Sequence, residues 1–231
     1  MFKRLLSAFG KTVSTGSTAE HVGLHSPYSQ SRLNYMYNLL FCDDLDLFRR
    51  ENGETDSTLW QQLLAERPDV SALLRIADDK EHDGRVRALA YNRLRMLGET
   101  PPSKKLLGTI VEVPLDGGLD VLAAFSDGGV RYLNHAGKVA VFEGADGPVG
   151  PLAFELLAAA QPVVDQIGPW EEQRLPPPKP GNVRLSFLVS DGLYFGEGPF
   201  AVLQQDGMAG PILSKAIQLL KQATAVATSA G

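Results

Sequence analysis

Gly137-Lys-Val-Ala-Val-Phe-Glu-Gly-Ala-Asp-Gly-Pro-Val-Gly-Pro151 and Gly198-Pro-Phe-Ala-Val-Leu-Gln-Gln-Asp-Gly-Met-Ala-Gly-Pro211 are the two passages on which the fold of this chain turns. With one gap, Gly137/Gly198, Ala140/Ala201, Val141/Val202, Asp146/Asp206, Gly147/Gly207, Gly150/Gly210 and Pro151/Pro211 coincide. Upstream, Ser126-Asp127-Gly128 answers Ser190-Asp191-Gly192. Each passage reads as a strand, a DGxxGP turn and an apolar helical run. The pattern predicts a duplicated unit, each copy a three-stranded meander followed by a helix. Such a unit has one apolar sheet face that it cannot cover alone, so two copies are expected to share a core.

Working outward, residues 119–165 form the first expected repeat and residues 183–226 the second. In the first, Leu119, Val121, Ala123 and Phe125 alternate as in a half-buried strand, and Asp127-Gly128-Gly129 is a hairpin signal. Strands follow over 130–133 and 139–142, then a helix after Pro151 that Pro162 is expected to bend or end. In the second, Val183, Leu185, Phe187 and Val189 alternate, with further strands expected over 193–195 and 200–204. An extra strand over 106–113 has no counterpart. Residues 168–182, rich in proline, read as a stiff polyproline-type connector. The tail from Thr224 is expected to fray.

Residues 26–100 carry helical periodicity instead. One helix is expected over 30–50, a second opened by Thr58 with Gln61 as a capping box, a third opened by Pro68, and a fourth capped by Asp83 and closed by Gly98. The expected fold is therefore α+β. An N-terminal helical bundle precedes a duplicated domain over 104–226, whose single antiparallel sheet carries two helices on one face. Residues 1–25 read as a flexible basic segment. Within it Phe2, Lys3, Arg4, Leu5, Leu6 and Phe9 form a short amphipathic stretch suited to a membrane surface or a partner groove.

Apolar residues make up 44% of the chain and charged residues 21%, at a net charge of -5. That is ordinary globular composition, and its acidic balance argues against a nucleic-acid partner. The lone Cys42 rules out an internal disulfide and, in an apolar helical setting, is expected to be a buried inert thiol. With no membrane span and no secretory leader legible, a cytoplasmic location is expected.

Chemistry is harder to find. The turns containing Asp146, Gly147, Gly150 and Asp206, Gly207, Gly210 offer helix N-termini, where amides and dipole favour phosphate or carboxylate. A site between them would make the protein a small-anion receptor or an enzyme. Against this, an Asp in such a turn caps the amides itself. His21 and His25 make an HxxxH pair without the rest of a zinc pattern, so no metal is expected. Asp43-Asp44-Leu45-Asp46 and Asp78–Asp83 read as helix caps, and His135, Ser126 and Ser190 as turn residues. No cofactor fingerprint stands out. Tyr194, Phe195, Glu197 and Phe200 lie around a glycine hairpin rich in aromatic area, and these, together with Trp170 in the connector, are expected to meet a partner protein. The expected function is a non-enzymatic binding or adaptor protein.

Overall fold

The computed structural model describes residues 24–52, 57–101 and 104–229. The amphipathic stretch from Phe2 to Phe9, and His21, lie outside them. Five helices come first: α1 (Ser31–Leu39), α2 (Leu45–Asn52), α3 (Thr58–Leu64), α4 (Val70–Asp78) and α5 (Gly84–Met96). The single helix expected over 30–50 is broken in two. Cys42 adopts φ 53° and interrupts the helical path, and Asp44 Oδ1 then accepts the Asp46 amide at 2.8 Å to start α2. A left-handed backbone costs a residue with a Cβ about 1–2 kcal/mol. Burial of Cys42 and a bond from Asn92 Nδ2 to its carbonyl at 3.2 Å hold the conformation. Two starts also shift. Ser57, not Thr58, precedes α3 and makes no side-chain cap bond, and Asp69, one residue after Pro68, caps α4 through the Ser71 amide. Asp83 caps α5 at 2.7 Å as expected, and Gly98, at φ 83°, follows its end.

Six strands follow: β1 (Leu106–Leu115), β2 (Gly118–Phe125), β3 (Val130–Leu133), β4 (Val139–Phe142), β5 (Asn182–Val189) and β6 (Gly192–Pro199). They form one antiparallel sheet in the order β4-β3-β2-β1-β5-β6. α6 (Gly150–Gln166) lies between β4 and β5 in sequence; α7 (Phe200–Gln205) and α8 (Ala209–Ser229) end the described chain. The architecture is α+β, with the sheet between two cores. Leu119, Val121, Ala123 and Phe125 join the core built on α1–α5. Val183, Leu185, Phe187 and Val189 join the core that gathers α6 and α8. The helical part is thus packed on the sheet. Where α5 meets β2, a Cβ on Gly84 would stand 2.9 Å from Phe125 Cβ.

The expected duplication does not survive as two copies of one topology. The segment expected as the third strand of the second copy is the helix α7. Two features explain it: Asn182 and Pro199 are the last pair of the β5–β6 ladder, and Phe200 N–H bonds back to the Gly181 carbonyl at 3.1 Å instead. The extra strand β1, moreover, lies mid-sheet. β2 and β5 are both antiparallel to it and so run parallel to each other, while their meanders travel outward in opposite directions. With α6 and α8 in the same core, the two units have opposite hand and no rotation superposes them. Two terminal expectations also change. α6 continues past Pro162 to Gln166, because Pro162 and Ala158, whose carbonyl loses its donor, both face solvent. α8 runs to Ser229 rather than fraying at Thr224, since Ala223 is buried and Thr224 Oγ1 bonds the Leu220 carbonyl at 2.9 Å. Among the described residues no helix is long and apolar enough to cross a membrane.

Candidate functional site

A cleft of about 870 Å³ opens where the helical layer, the proline-rich connector and the β5–β6 turn meet. α2 and the residue before it bring Asp44, Asp46 and Arg49 to it, the last turn of α5 brings Arg93, Arg95 and Met96, the connector brings Trp170 to Arg174, and the turn brings Asp191 to Leu193. Each wall has a local cause. The connector is pinned at the sheet edge by Trp170 N–H donating to the Leu193 carbonyl at 2.7 Å, and the Trp170 ring meets Phe195 edge-on at 5.1 Å. Farther along, Arg174 turns into the helical layer. Its Nε donates to Asp43 at 2.9 Å, its Nη2 to Asn38 Oδ1 at 2.7 Å, and its guanidinium lies 4.0 Å from the centre of the Phe41 ring. His25 Nε2–H donates to the Arg174 carbonyl at 2.9 Å; burial pushes this imidazole below its ordinary range.

The cations of the cleft are unevenly compensated. Arg49 pairs with Asp46, and Arg174 with Asp43. Arg93 is 92% buried (8% exposed) and donates to the Ala65 carbonyl at 2.6 Å, at the C-terminal end of α3; its Nε is buried with no acceptor. Burial, then the neighbouring Arg49, lower its proton affinity. Arg95 donates to the Ser190 carbonyl at 2.8 Å and Asn92 Oδ1 at 3.3 Å. Burial lowers it too, opposed by nearby Asp191. Asp191 Oδ2 accepts from Tyr194 OH at 2.9 Å, while its Oδ1 is buried with no donor. Behind the cleft a second polar group serves as a strut. Glu112 is fully buried in β1 and accepts from Tyr37 OH at 2.7 Å, with Arg184 Nη1 4.0 Å from its other oxygen. Arg184 in turn holds Glu197 at 2.6 Å and the Leu175 carbonyl at 3.2 Å.

The residues singled out from the sequence are scattered around this centre. Trp170 lines the cleft and Phe195 stands against it. Tyr194, expected to meet a partner, is instead fully buried with its hydroxyl on Asp191. Glu197 is held by Arg184 and Asn182, and Phe200 is exposed on α7. Asp206 caps α8 through the Met208 and Ala209 amides, both at 2.8 Å, so those donors are already used. Asp146 is exposed, Gly147 half-buried, and Gly150 sits close against the Ala145 carbonyl. Gly207 is open, and a Cβ on Gly210 would meet the Gln204 carbonyl at 2.7 Å.

The two DGxxGP turns do not face each other. The end of α6 lies beside the start of α8, with Gln166 Nε2 3.7 Å from Met208 Sδ, so the turns are about a helix length apart, roughly 25 Å for 17 residues. Among the described residues no group of three or more His, Cys, Asp and Glu side chains could hold a metal ion. His135, read as a turn residue, donates Nδ1–H to Asp120 at 2.8 Å, and Tyr132 OH donates to the other Asp120 oxygen at 2.8 Å. That arrangement ties the β3–β4 turn to β2. Arg93, Arg95 and Arg174 carry no signal in the sequence, and Asp191 reads there only as a turn former. No local spacing links them, because they come from three separate segments. Neither a family model, nor a curated protein, nor a solved structure matches the chain.

Proposed function

We propose that the protein is a cytoplasmic, non-enzymatic binding protein that holds a segment of a partner protein in the cleft between α2, α5 and the connector. The observation that carries this reading is the make-up of the walls: Trp170, Met96, and Arg93 and Arg95, which form no ion pair among the described residues, set in a concave surface. Tryptophan, methionine and arginine are the residues enriched at interface cores, and tryptophan and arginine most often carry binding energy. Met96 stands at the rim, 63% exposed. The connector is held at Trp170 and at Arg174, which favours a preformed surface and lowers the ordering cost of binding.

A photo-crosslinking residue at Met96, compared with one at exposed Phe154 on α6, tests the reading in the native cell. The expected result is a defined adduct from position 96 alone, lost when Trp170→Ala is added. No adduct, or an adduct indifferent to Trp170→Ala, overturns it. The basic and apolar sequence from Phe2 to Lys11 supports an additional attachment to a membrane surface. Deleting residues 1–11 is expected to abolish co-sedimentation with anionic liposomes; no co-sedimentation of the intact chain removes that part.

A further inference from the structure

We infer that the cleft selects a partner segment carrying one cationic and one anionic side chain, the cation meeting Asp191 and the anion meeting Arg93. The inference rests on the partner-binding reading above and names the chemistry of what is bound. It starts from two atoms. Among the described residues Asp191 Oδ1 is an acceptor without a donor, and Arg93 Nε a donor without an acceptor. Both residues line the same cleft. Buried polar atoms are nearly always bonded, and leaving one unbonded is costly. Two unmet groups of opposite kind, each buried just behind the wall of one cleft that its residue lines, therefore favour a ligand with both kinds of charge.

Several of the other charges that line the cleft are already engaged. Asp43 is taken by Arg174 and Asp46 by Arg49, and Asp44 caps α2. Arg95 has its donors on Ser190 and Asn92. What remains lies toward two ends of the last turn of α5. Arg93 reaches toward α3, where it touches Ala65, and Arg95 reaches toward the β5–β6 turn, where it touches Ser190 beside Asp191. Met96, Leu193 and Trp170, which line the same cleft, offer apolar surface for the stems of long side chains. Trp170 adds a face for a cation approaching Asp191. Glu171 and Glu172, exposed on the same connector, add negative potential for a cation. Carboxylate χ2 is a broad two-fold torsion, so a small rotation of Asp191 turns its unbonded oxygen to an incoming donor.

The test uses acetylated, amidated peptides in which lysine and glutamate are separated by one to four alanines, with Lys/Lys and Glu/Glu counterparts of each length. Binding to the full chain is read from Trp170 fluorescence in a Trp60→Phe background. At least one mixed peptide is expected to bind saturably, tenfold or more tighter than both counterparts of its length. Asp191→Asn and Arg93→Gln are each expected to weaken it at least tenfold. Arg93→Glu should transfer the preference to the matching Lys/Lys peptide, a gain that damage to the fold does not produce. The inference is overturned if no mixed peptide outbinds its counterparts, or if Asp191→Asn leaves binding unchanged in a variant with wild-type circular dichroism. Either result leaves the Met96 adduct untouched, whereas loss of that adduct overturns the partner-binding reading itself.

Discussion

Replacing Tyr37 by Phe probes the buried strut most cleanly. The ring stays: its edge-on contacts with Phe41 at 5.3 Å and Tyr28 at 6.4 Å need no hydroxyl. What goes is the 2.7 Å bond to Glu112 Oε1. Glu112 has no exposure, and its other oxygen has only Arg184 at 4.0 Å, so no water can replace the lost donor. A buried acceptor stripped of its partner costs about 1–3 kcal/mol, and more where it is charged. Taking ~2 kcal/mol and a urea dependence of ~3 kcal/mol/M, the unfolding midpoint should fall by roughly 0.7 M.

The pH dependence gives this prediction its sign. Burial pushes the Glu112 carboxyl above its ordinary range, and the Tyr37 hydroxyl is the largest influence pulling it back. Without that hydroxyl the folded variant holds its proton to a higher pH than the folded wild type. Between those two titrations the variant binds more protons when folded, so its deficit must grow as pH rises through that window and level off on either side. Urea unfolding of both proteins from pH 4 to pH 9 measures this directly. An unchanged midpoint, or a deficit that grows toward acid, would refute the reasoning.

Other expectations concern packing, capping and reactivity. Gly84→Ala places a Cβ 2.9 Å from Phe125 Cβ and 3.0 Å from the Ser126 amide, and should destabilise by about 1–3 kcal/mol in thermal unfolding. Asp206→Ala strips the cap from α8 and should lower the melting temperature at neutral pH. The Ala209 and Met208 amides hold the Asp206 carboxyl below its ordinary range, so the cap's contribution is present above the unfolded carboxylate pKa and lost as pH falls through the folded one. A deficit that persists unchanged in acid would show that the carboxylate is not responsible. Cys42 is buried, and burial pushes its thiol well above the ordinary range, so Ellman's reagent should react with it only at the rate of global unfolding. Fast labelling of the native protein would contradict the packing around it.

Much of the fold can be read from alternation alone. Leu119, Val121, Ala123 and Phe125 share one core, and Val183, Leu185, Phe187 and Val189 share another, as their period of two implies. Alternation says nothing of which layer covers which face, and here the two sets point to opposite sides. The similarity of the two DGxxGP passages was misleading because a turn motif specifies only local geometry. Where the ladder runs out at Pro199, the Phe200–Gln205 segment becomes helix despite its Ala-Val-Leu core. The cleft was illegible for a related reason. Its charged residues are brought together by the docking of α5 and the connector, and nothing in the sequence of the connector, which also carries Glu171, Glu172 and Lys179, marks Arg174 as the side chain that holds it to the helical layer.

The central place of β1 makes the β portion indivisible. Cutting the chain between Leu175 and Asn182 would leave a first piece whose β1 edge lies bare along the length that β5 covers, and a second piece that begins with a lone hairpin. Neither has a finished sheet, yet each carries the template that completes the other. Coexpressed halves should therefore reunite by strand complementation along β1 and β5, which makes this loop a natural place to split the protein into a two-part reporter.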